Sequence, residues 1–510
     1  MRPEQLSDAI GELPDELLSA RAGRKPRRWP TLVAAAACLV LVAAALWGSG
    51  GLTPAADPSE SEASSDGTPT TTGPRRPTAA VSTTPKTAAT TANTANTVQT
   101  GVRPATVPAT ETDRTGFALA GGKQARCIAA AAAVKPQAQP LTEAKRAMTA
   151  FTKALLPAML AGDAQNRACS PQDLYLSLAM LAETADGSSR AQLLQLLGCA
   201  DTAALRQTVT ALWDTQTRAG SNYHCVPAVS LWLPLSAGFR ADTVDRLAGS
   251  YHASVFSGDM GSAAYNALFA DWLSQSTGGL LGTADAPKID GGTSLALCST
   301  LSYQAMWNTK FDKKDTRDGV FHADGGDCTV PFLRRSRAQC PYYAGGRFSA
   351  VSLELVEGYS GIGKMWLILP QEGVSPEDIA GDAALLSLLC GEAETVNAEV
   401  ELAVPRFDVS ARQELIPVLQ KLGAGDVADR AKADFSPLTG DRSLHLSAAS
   451  QSVRVAADET GVSAASLSYL AYAGANTPVQ KITFTLDRPF LFAVCGKDGI
   501  VRFAGTVHTP

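Results

Sequence analysis

The fold class that the sequence predicts is α+β with mostly antiparallel sheets. Three observations carry it. Helix-like apolar spacing comes early, strand-like apolar runs come late, and the two do not alternate as a parallel sheet with crossover helices requires. With 510 residues, 45% of them hydrophobic, the chain is long enough to bury a large core. Lys and Arg number 44 against 49 Asp and Glu, a net charge of −5, which speaks against a broad basic face tracking phosphates. These figures exclude a multi-pass membrane protein, a collagen-like fibre and a wholly disordered chain. No internal repeat is present.

The first segments concern address rather than chemistry. Residues 1–28 place Leu6, Ile10, Leu13, Leu17 and Leu18 at weakly amphipathic spacing and close on the basic cluster Arg21, Arg24, Lys25, Arg27 and Arg28. Residues 29–47 are predicted to be a transmembrane signal-anchor. Thr31–Trp47 carries no charge, and Trp29 and Trp47 flank it where interfacial aromatics sit. As a helix this run reaches about 25 Å, the short end for a bilayer. The basic cluster would hold the N-terminus in the cytoplasm and the remainder outside. A cleaved signal peptide is the rival reading, because Ala43, Ala44 and Ala45 are small. Residues 48–110 are rich in Thr, Pro, Ala and Ser and bury too little apolar surface to offset the entropy of ordering, so they are predicted to be a disordered linker. Its r.m.s. reach is about 45 Å.

Residues 111–510 are predicted to form one folded domain. A helix runs through Ala144, Met148, Phe151, Leu155 and Met159. A second starts with Ser170 as N-cap and Pro171 at the first helical position, with the stripe Leu174, Leu178, Leu181. A third continues through Leu193, Leu194 and Leu197 to Gly198. Strand-like runs follow at Ala228–Leu233, Leu295–Tyr303, Ser349–Leu355, Lys364–Leu369, Val396–Phe407, Leu444–Val455 and Ile482–Val494.

Familiar catalytic constellations are missing. There is no G-x-S-x-G elbow, no S-x-x-K with K-T-G, no H-E-x-x-H and no Gly-rich phosphate loop. His224, His252, His322, His445 and His508 lie far apart, each without a ligand-spaced partner, and read as surface or hydrogen-bonded core imidazoles. Ten Cys include no C-x-x-C pair; Cys298 and Cys495 sit in apolar strand-like runs and are predicted to be small core residues. Nine remain beyond Cys38, so at least one is unpaired.

The informative stretch is Ala457–Pro489. After Glu459 come Gly461 and the small residues Val462, Ser463, Ala464, Ala465 and Ser466, then the turn-rich Ala473–Pro478, then a strand leading to Asp487-Arg488-Pro489-Phe490. No Pro lies between Gly461 and Thr477, so every backbone N–H there is free to join a sheet ladder. At period two, Val462, Ala464, Ser466 and Ser468 share one face. An ordinary loop between two strands is the competing reading.

At this point the sequence resembles the serpins over about residues 140–510. The strongest motif is Phe484-Thr-Leu-Asp-Arg-Pro-Phe-Leu-Phe-Ala-Val494, supported by Phe503-Ala-Gly505 and Pro510. Asn166 with Ser170-Pro171, Trp232, Trp272 with Thr277-Gly278-Gly279, and Trp307, Phe311, Asp315-Thr316, Phe321-His322 and Val330-Pro331 follow in the family's order. Val404-Pro405-Arg406-Phe407, Leu419–Gly423 and Ala433-Asp434-Phe435-Ser436 complete it.

The resemblance implies three β-sheets, eight or nine helices and an exposed reactive-centre loop that a target protease attacks as substrate. It implies an inhibitor rather than an enzyme, acting as a monomer, with no cofactor, no metal and no nucleic-acid partner. The cleaved loop would insert into the central sheet and trap the acyl-enzyme. Glu459 and Gly461 match the hinge, with Val462, Ser463, Ala464, Ala465 and Ser466 as the segment that inserts first. Leu467 departs from the preference for small residues there, on the face opposite Val462. Counting the family's usual length from Glu459 puts the scissile bond at Ala475–Asn476; Thr477 and Tyr472 are alternatives, since this loop is longer. Ala475 would suit an elastase-like protease and Tyr472 a chymotrypsin-like one, and a cysteine protease is a further possible partner. Beneath and above the point where strands part, the resemblance places Ser170, Ser299 and Gln451, and Trp307. Ser299 and Gln451 stand where the family usually has Asn and His, and are expected to hydrogen-bond. The alternative function is a non-inhibitory serpin-fold binding module whose loop is only a substrate.

Overall fold

Helix α1 (Leu141–Leu160) forms where the apolar spacing predicts it, with Ala144, Met148, Phe151, Leu155 and Met159 all buried. The computed structural model describes residues 117–119, 125–134, 140–216, 223–277, 279, 281, 288–357, 361–440, 442–462 and 480–510, within the compact unit Thr94–Pro510. Segments 1–28, 29–47 and 48–110 lie outside the described residues. Among the described residues no helix is long and apolar enough to cross a membrane.

Helix α2 (Pro171–Thr184) is capped by Ser170, whose hydroxyl accepts from the Asp173 N–H at 3.3 Å, and every one of its residues is buried. The third predicted helix is α3 (Gly187–Leu196). Then come α4 (Thr202–Gln216), α5 (Ala241–Ser250), α6 (Ala263–Ser276), α7 (Pro376–Ile379), α8 (Ala383–Leu389) and α9 (Ile416–Lys421).

The strands are β1 (Phe117–Leu119), β2 (Ala125–Ala129), β3 (Arg167–Cys169), β4 (Tyr223–Pro234), β5 (Gly238–Arg240), β6 (Ala253–Gly258) and β7 (Ala296–Trp307). They continue with β8 (Arg317–Ala323), β9 (Gly326–Ala344), β10 (Phe348–Glu357), β11 (Gly361–Pro370), β12 (Val396–Pro405) and β13 (Phe407–Glu414). The last are β14 (Ala448–Ala457), β15 (Gly461–Val462), β16 (Gln480–Thr485), β17 (Phe490–Cys495) and β18 (Val501–Val507). Two expected single strands are in fact two each. Val396–Phe407 breaks at Arg406, because β12 pairs with β9 and β16 while β13 turns to pair with β14. Ile482–Val494 breaks at Leu486–Pro489, where the chain passes from β16, beside β12, to β17, beside β11. The expected strand Leu444–Val455 begins only at Ala448.

Sixteen strands form one hydrogen-bonded network with three sections, and β1 and β5 pair separately. The first section runs β13, β14, β15, β7, β4, β6, β2; the second runs β10, β11, β17, β18, β3; the third holds β8, β9, β12 and β16. Pairing is antiparallel except for β12 with β16, β14 with β7, and β4 with β6. One core fills the space between the first two sections and α1, α2, α4 and α5; a second joins the upper halves of β7, β14 and β17 to the third section. A third cluster packs Trp232 between Phe256, stacked at 4.1 Å, and Phe269 of α6. All nine described cysteines are unpaired thiols; Cys298 and Cys495 are buried, as predicted.

The C-terminal residues are clamped rather than frayed. Asn166 accepts from the His508 and Thr509 N–H groups at 2.7 and 3.0 Å and donates to the Thr509 carbonyl at 2.6 Å. The His508 ring lies 2.5 Å from Asp324 and 2.8 Å from Glu377 of α7, the one ring nitrogen on each. Burial opposes charging this imidazole, but the two carboxylates outweigh burial and raise its pKa above 6.5. A raised folded-state value contributes stability that is full below the unfolded value and is lost as pH rises through the folded one. His508→Asn should therefore cost ~1 kcal/mol more at about pH 5.5 than at about pH 8.5, read from thermal midpoints. An equal cost at both would reduce the contact to packing.

Candidate functional site

The site is a seam in the first sheet section. β14 and β7 run parallel and pair only at their lower ends, from Ala448 opposite Ala296 to Gln451 opposite Ser299. Above that rung, Thr300–Gln304 pair with β4 and Ser452–Ala456 with β13, but no pairing joins these two stretches across the seam among the described residues. At the top the gap is closed again by β15. Gly461 pairs with Met306, and Val462 pairs with both Ala305 and Ala457. The predicted hinge is thus already seated between the two strands.

A tight turn delivers it. The Asp458 N–H donates to the Gly461 carbonyl at 3.0 Å. The Asp458 carboxylate in turn accepts from the Thr460 and Gly461 N–H groups at 2.7 and 3.1 Å, an Asx-type turn. Trp307 docks this turn: its indole N–H donates to the Asp458 carbonyl at 2.7 Å and its backbone N–H to the Thr460 carbonyl at 3.1 Å. Phe311 N–H holds the Glu459 carbonyl at 3.0 Å, and the Phe311 ring packs on Trp307 on one side and under Arg335 on another. The Glu459 side chain is buried at 6% exposure and accepts from Arg406 at 2.5 Å and from the Thr316 hydroxyl at 3.0 Å. Burial alone would raise its pKa, but its own backbone N–H, Arg406 and Thr316 together hold it below the ordinary value.

Only glycine fits at 461. A Cβ there would stand 2.6 Å from the Met306 Cα and closer still to the Ala305 carbonyl oxygen. Val462 is buried at 2% exposure and belongs to the core between the sheet sections. Its inward direction agrees with the period-two reading.

The lower end of the seam rests on α2. Contrary to the expectation from the sequence, the Gln451 side chain does not bond the Ser299 hydroxyl. Its side chain runs down to the helix cap, accepting from the Ser170 N–H at 2.9 Å and donating to the Ser170 carbonyl at 3.0 Å and to Asp173 at 3.2 Å. The cap offers an exposed backbone donor and acceptor one above the other, and a primary amide matches both. Ser299 Oγ and the second Asp173 oxygen make no hydrogen bond of normal geometry. Burial pushes the Asp173 carboxyl up to about 7, while the Ser299 hydroxyl and Gln451 amide beside it pull the other way.

Of the predicted site residues, the structure therefore gathers Glu459, Gly461, Val462 and Trp307 at the top of one seam and Ser170, Ser299 and Gln451 at its lower rung. Ser463, Ala464, Ala465, Ser466, Tyr472, Ala475, Asn476 and Thr477 lie outside the described residues. Sequence reasoning missed three participants. Arg406 and Thr316 were seen only as motif residues, and Asp173 was not singled out.

A sheet parted between two parallel strands, with a turn feeding the following loop into the gap, is the architecture of the protein class resembled above. The family described as Serpin (serine protease inhibitor) matches residues 146–510, and the chain belongs to the serpin family. Members are mostly protease inhibitors rather than catalysts. Human serpin B8 is 25% identical over 353 residues, 67% of this chain and 92% of that protein. The putative non-inhibitory serpin-10 of Oryza sativa subsp. japonica is 28% identical over 378 residues, 67% of this chain and 93% of that one. The crystal structure of the thermophilic serpin tengpin in its native state superposes with a TM-score of 0.66 at 22% identity, covering 76% of this chain and 100% of that one, which shows the shared fold.

Because the hinge is seated by backbone approach, Gly461→Ala should unseat it at a cost of about 1–3 kcal/mol, the usual penalty of an inserted methyl group in a packed site. Hydrogen exchange at the Trp307 amide is the readout: protected in the wild type, it should become labile in the variant. Unchanged protection would mean that β15 is held by the turn alone.

Proposed function

We propose that the protein is a serine protease inhibitor that acts as a suicide substrate. The observation that carries this reading is the half-filled seam: Gly461 and Val462 occupy its top, while among the described residues Thr300–Gln304 and Ser452–Ala456 have no partner across it. Unpaired backbone groups on two facing strands are a template for one more strand, and the segment that follows Val462 has small side chains and no Pro to Thr477. In the register already begun, Ala464, Ser466 and Ser468 take the buried face and Leu467 the solvent face.

The chemistry supplied by this chain is a peptide bond, for which Ala475–Asn476 is our choice. The serine hydroxyl of the protease attacks the Ala475 carbonyl carbon. The bond to the Asn476 nitrogen breaks, that nitrogen leaves with the serine proton, and Ala475 remains as an ester on the protease. Insertion of residues 463 onward then carries the ester away before water completes hydrolysis. Ala475 favours elastase-like targets, and neither Arg nor Lys occurs between Thr460 and Gln480 to favour trypsin-like ones. We further place the inhibitor as a monomer outside the cell, with 29–47 as a membrane anchor, 48–110 as the linker and 111–510 as the serpin domain.

Incubation of the full chain with pancreatic elastase should give a complex that survives boiling in detergent, with a released peptide beginning at Asn476. Val462→Arg and Ala464→Arg would each have to bury a guanidinium on insertion, and should convert inhibitor into substrate. Clean cleavage by fully active protease in the wild type would instead support the binding-module alternative; a peptide beginning at Ala473 would shift the bond to Tyr472.

A further inference from the structure

The rung at Gln451 and Ser299 sits over a carboxyl group that no cation accompanies. Asp173 is fully buried, forms no salt bridge among the described residues, and has one oxygen on the Gln451 amide and the other without a hydrogen bond. The groups around it are neutral on every side. On its own helix, Ser170 is engaged with Gln451, and Gln172 with Arg502, whose charge is taken by Asp498 at 2.6 Å. On β7 stand Ser299 and the Cys298 thiol, which burial keeps protonated. On β14 stands Gln451; on β13, Gln413 donates to the Ala168 carbonyl and Arg412 pairs with Glu414 at the surface.

This place in the fold matters for insertion. Continuing the register from Val462 opposite Ala305 brings Ser468 opposite Ser299, so a strand that grows past Leu467 must part Gln451 from Ser299. We infer that Asp173 is a positioning residue for this step: its neutral acid holds the lower rung shut, and its carboxylate favours parting. A buried carboxylate without a cation is penalised in the closed seam. Parting the rung admits water, or the N–H groups of the incoming strand, to the charge. The nearby Ser299 hydroxyl could donate to a carboxylate or accept from an acid equally well, so its presence does not decide between states, whereas burial does. The state with the lower pKa gains as pH rises. Because burial has pushed this group up to about 7, the change falls near neutrality rather than in acid.

The inference rests on the inhibitory reading for its biological consequence, but insertion can be followed without inhibition. The loop of the full chain is cut with elastase, and insertion is timed as the gain of resistance to a heat step. Between about pH 5.5 and 8.5 the wild-type rate should rise about tenfold. Asp173→Asn should be flat across that range, near the acid limb of the wild type. A variant that keeps the wild-type profile overturns the inference, as does a flat wild type. Should the variant fail to accumulate, or the cut chain gain no heat resistance, exchange of the Ser299–Leu301 amides in the intact wild type decides. Corrected for intrinsic rate, opening must increase with pH through neutrality, and constant opening overturns the role. Absence of a covalent complex at every pH removes the inhibitory reading and leaves the Asp173 profile standing.

Discussion

Two parallel strands, β7 and β14, that pair with each other only at their lower ends, and whose facing edges above that rung have no partner among the described residues until β15, are the constraint on which the rest of this structure depends. Buried backbone N–H and C=O groups demand partners, and an open edge inside a large sheet holds free energy that a new strand would release. What keeps the edge open is local. The Asp458 turn fills the top, Trp307 fixes that turn through two hydrogen bonds, and the Gln451 rung closes the bottom. Each holding point is a handful of contacts at an end of the gap.

The two flanks of the gap are held in different ways. β7 is tied to the second section by backbone pairs, Leu355 with Trp307 and Val356 with Met306, and by the Tyr303 hydroxyl, which donates to Glu357 at 3.2 Å. Glu357 also accepts from the Lys497 N–H, close to the buried Arg502–Asp498 pair. A buried ionic network of this kind has little net effect on stability when complete but is costly to break, so it fixes one arrangement of β7, β10 and β18. β14 is held from beneath: Gln451 bonds the Ser170 cap and Asp173, its outer neighbour β13 reaches β3 through Gln413 and the Ala168 carbonyl, and the cross-strand pair Arg454–Asp408 lies at the surface. Both flanks are thus anchored, β7 to β10 and β14 with β13 to α2 and β3, and what joins them directly is the short rung that ends at Gln451 and Ser299.

Much of this was legible in the sequence because the signals are local. Helix α1 follows from spacing, α2 from Ser170-Pro171, and the inward face of Val462 from alternation. The break at Arg406 was not, because it is decided by which strands neighbour β12 and β13, a non-local fact that periodicity does not carry. Ser299 and Gln451, which the resemblance named as a pair, face each other in the ladder, but the side-chain partner of Gln451 is a helix cap, and a cap's free backbone groups are invisible until the helix is seen beneath the sheet. Asp173 was hidden by being ordinary: an acidic residue three places after an N-cap normally lies in water and favours the helix dipole, and only the burial of all of α2 makes it exceptional.

The two ends of the gap thus carry one buried carboxyl group each, in opposite environments. Glu459 at the top is buried but has a guanidinium, a hydroxyl and a backbone N–H, so its charge is satisfied and its pKa is held down. Asp173 at the bottom is buried with a single amide donor at hydrogen-bond distance and no cation, so its pKa is pushed up. A falling pH leaves Glu459 ionised, with the hinge seated, long after it has neutralised Asp173. Of these two groups, the upper one keeps its charge across the neutral range, and the proton-sensitive one lies below, on the helix on which the sheet rests.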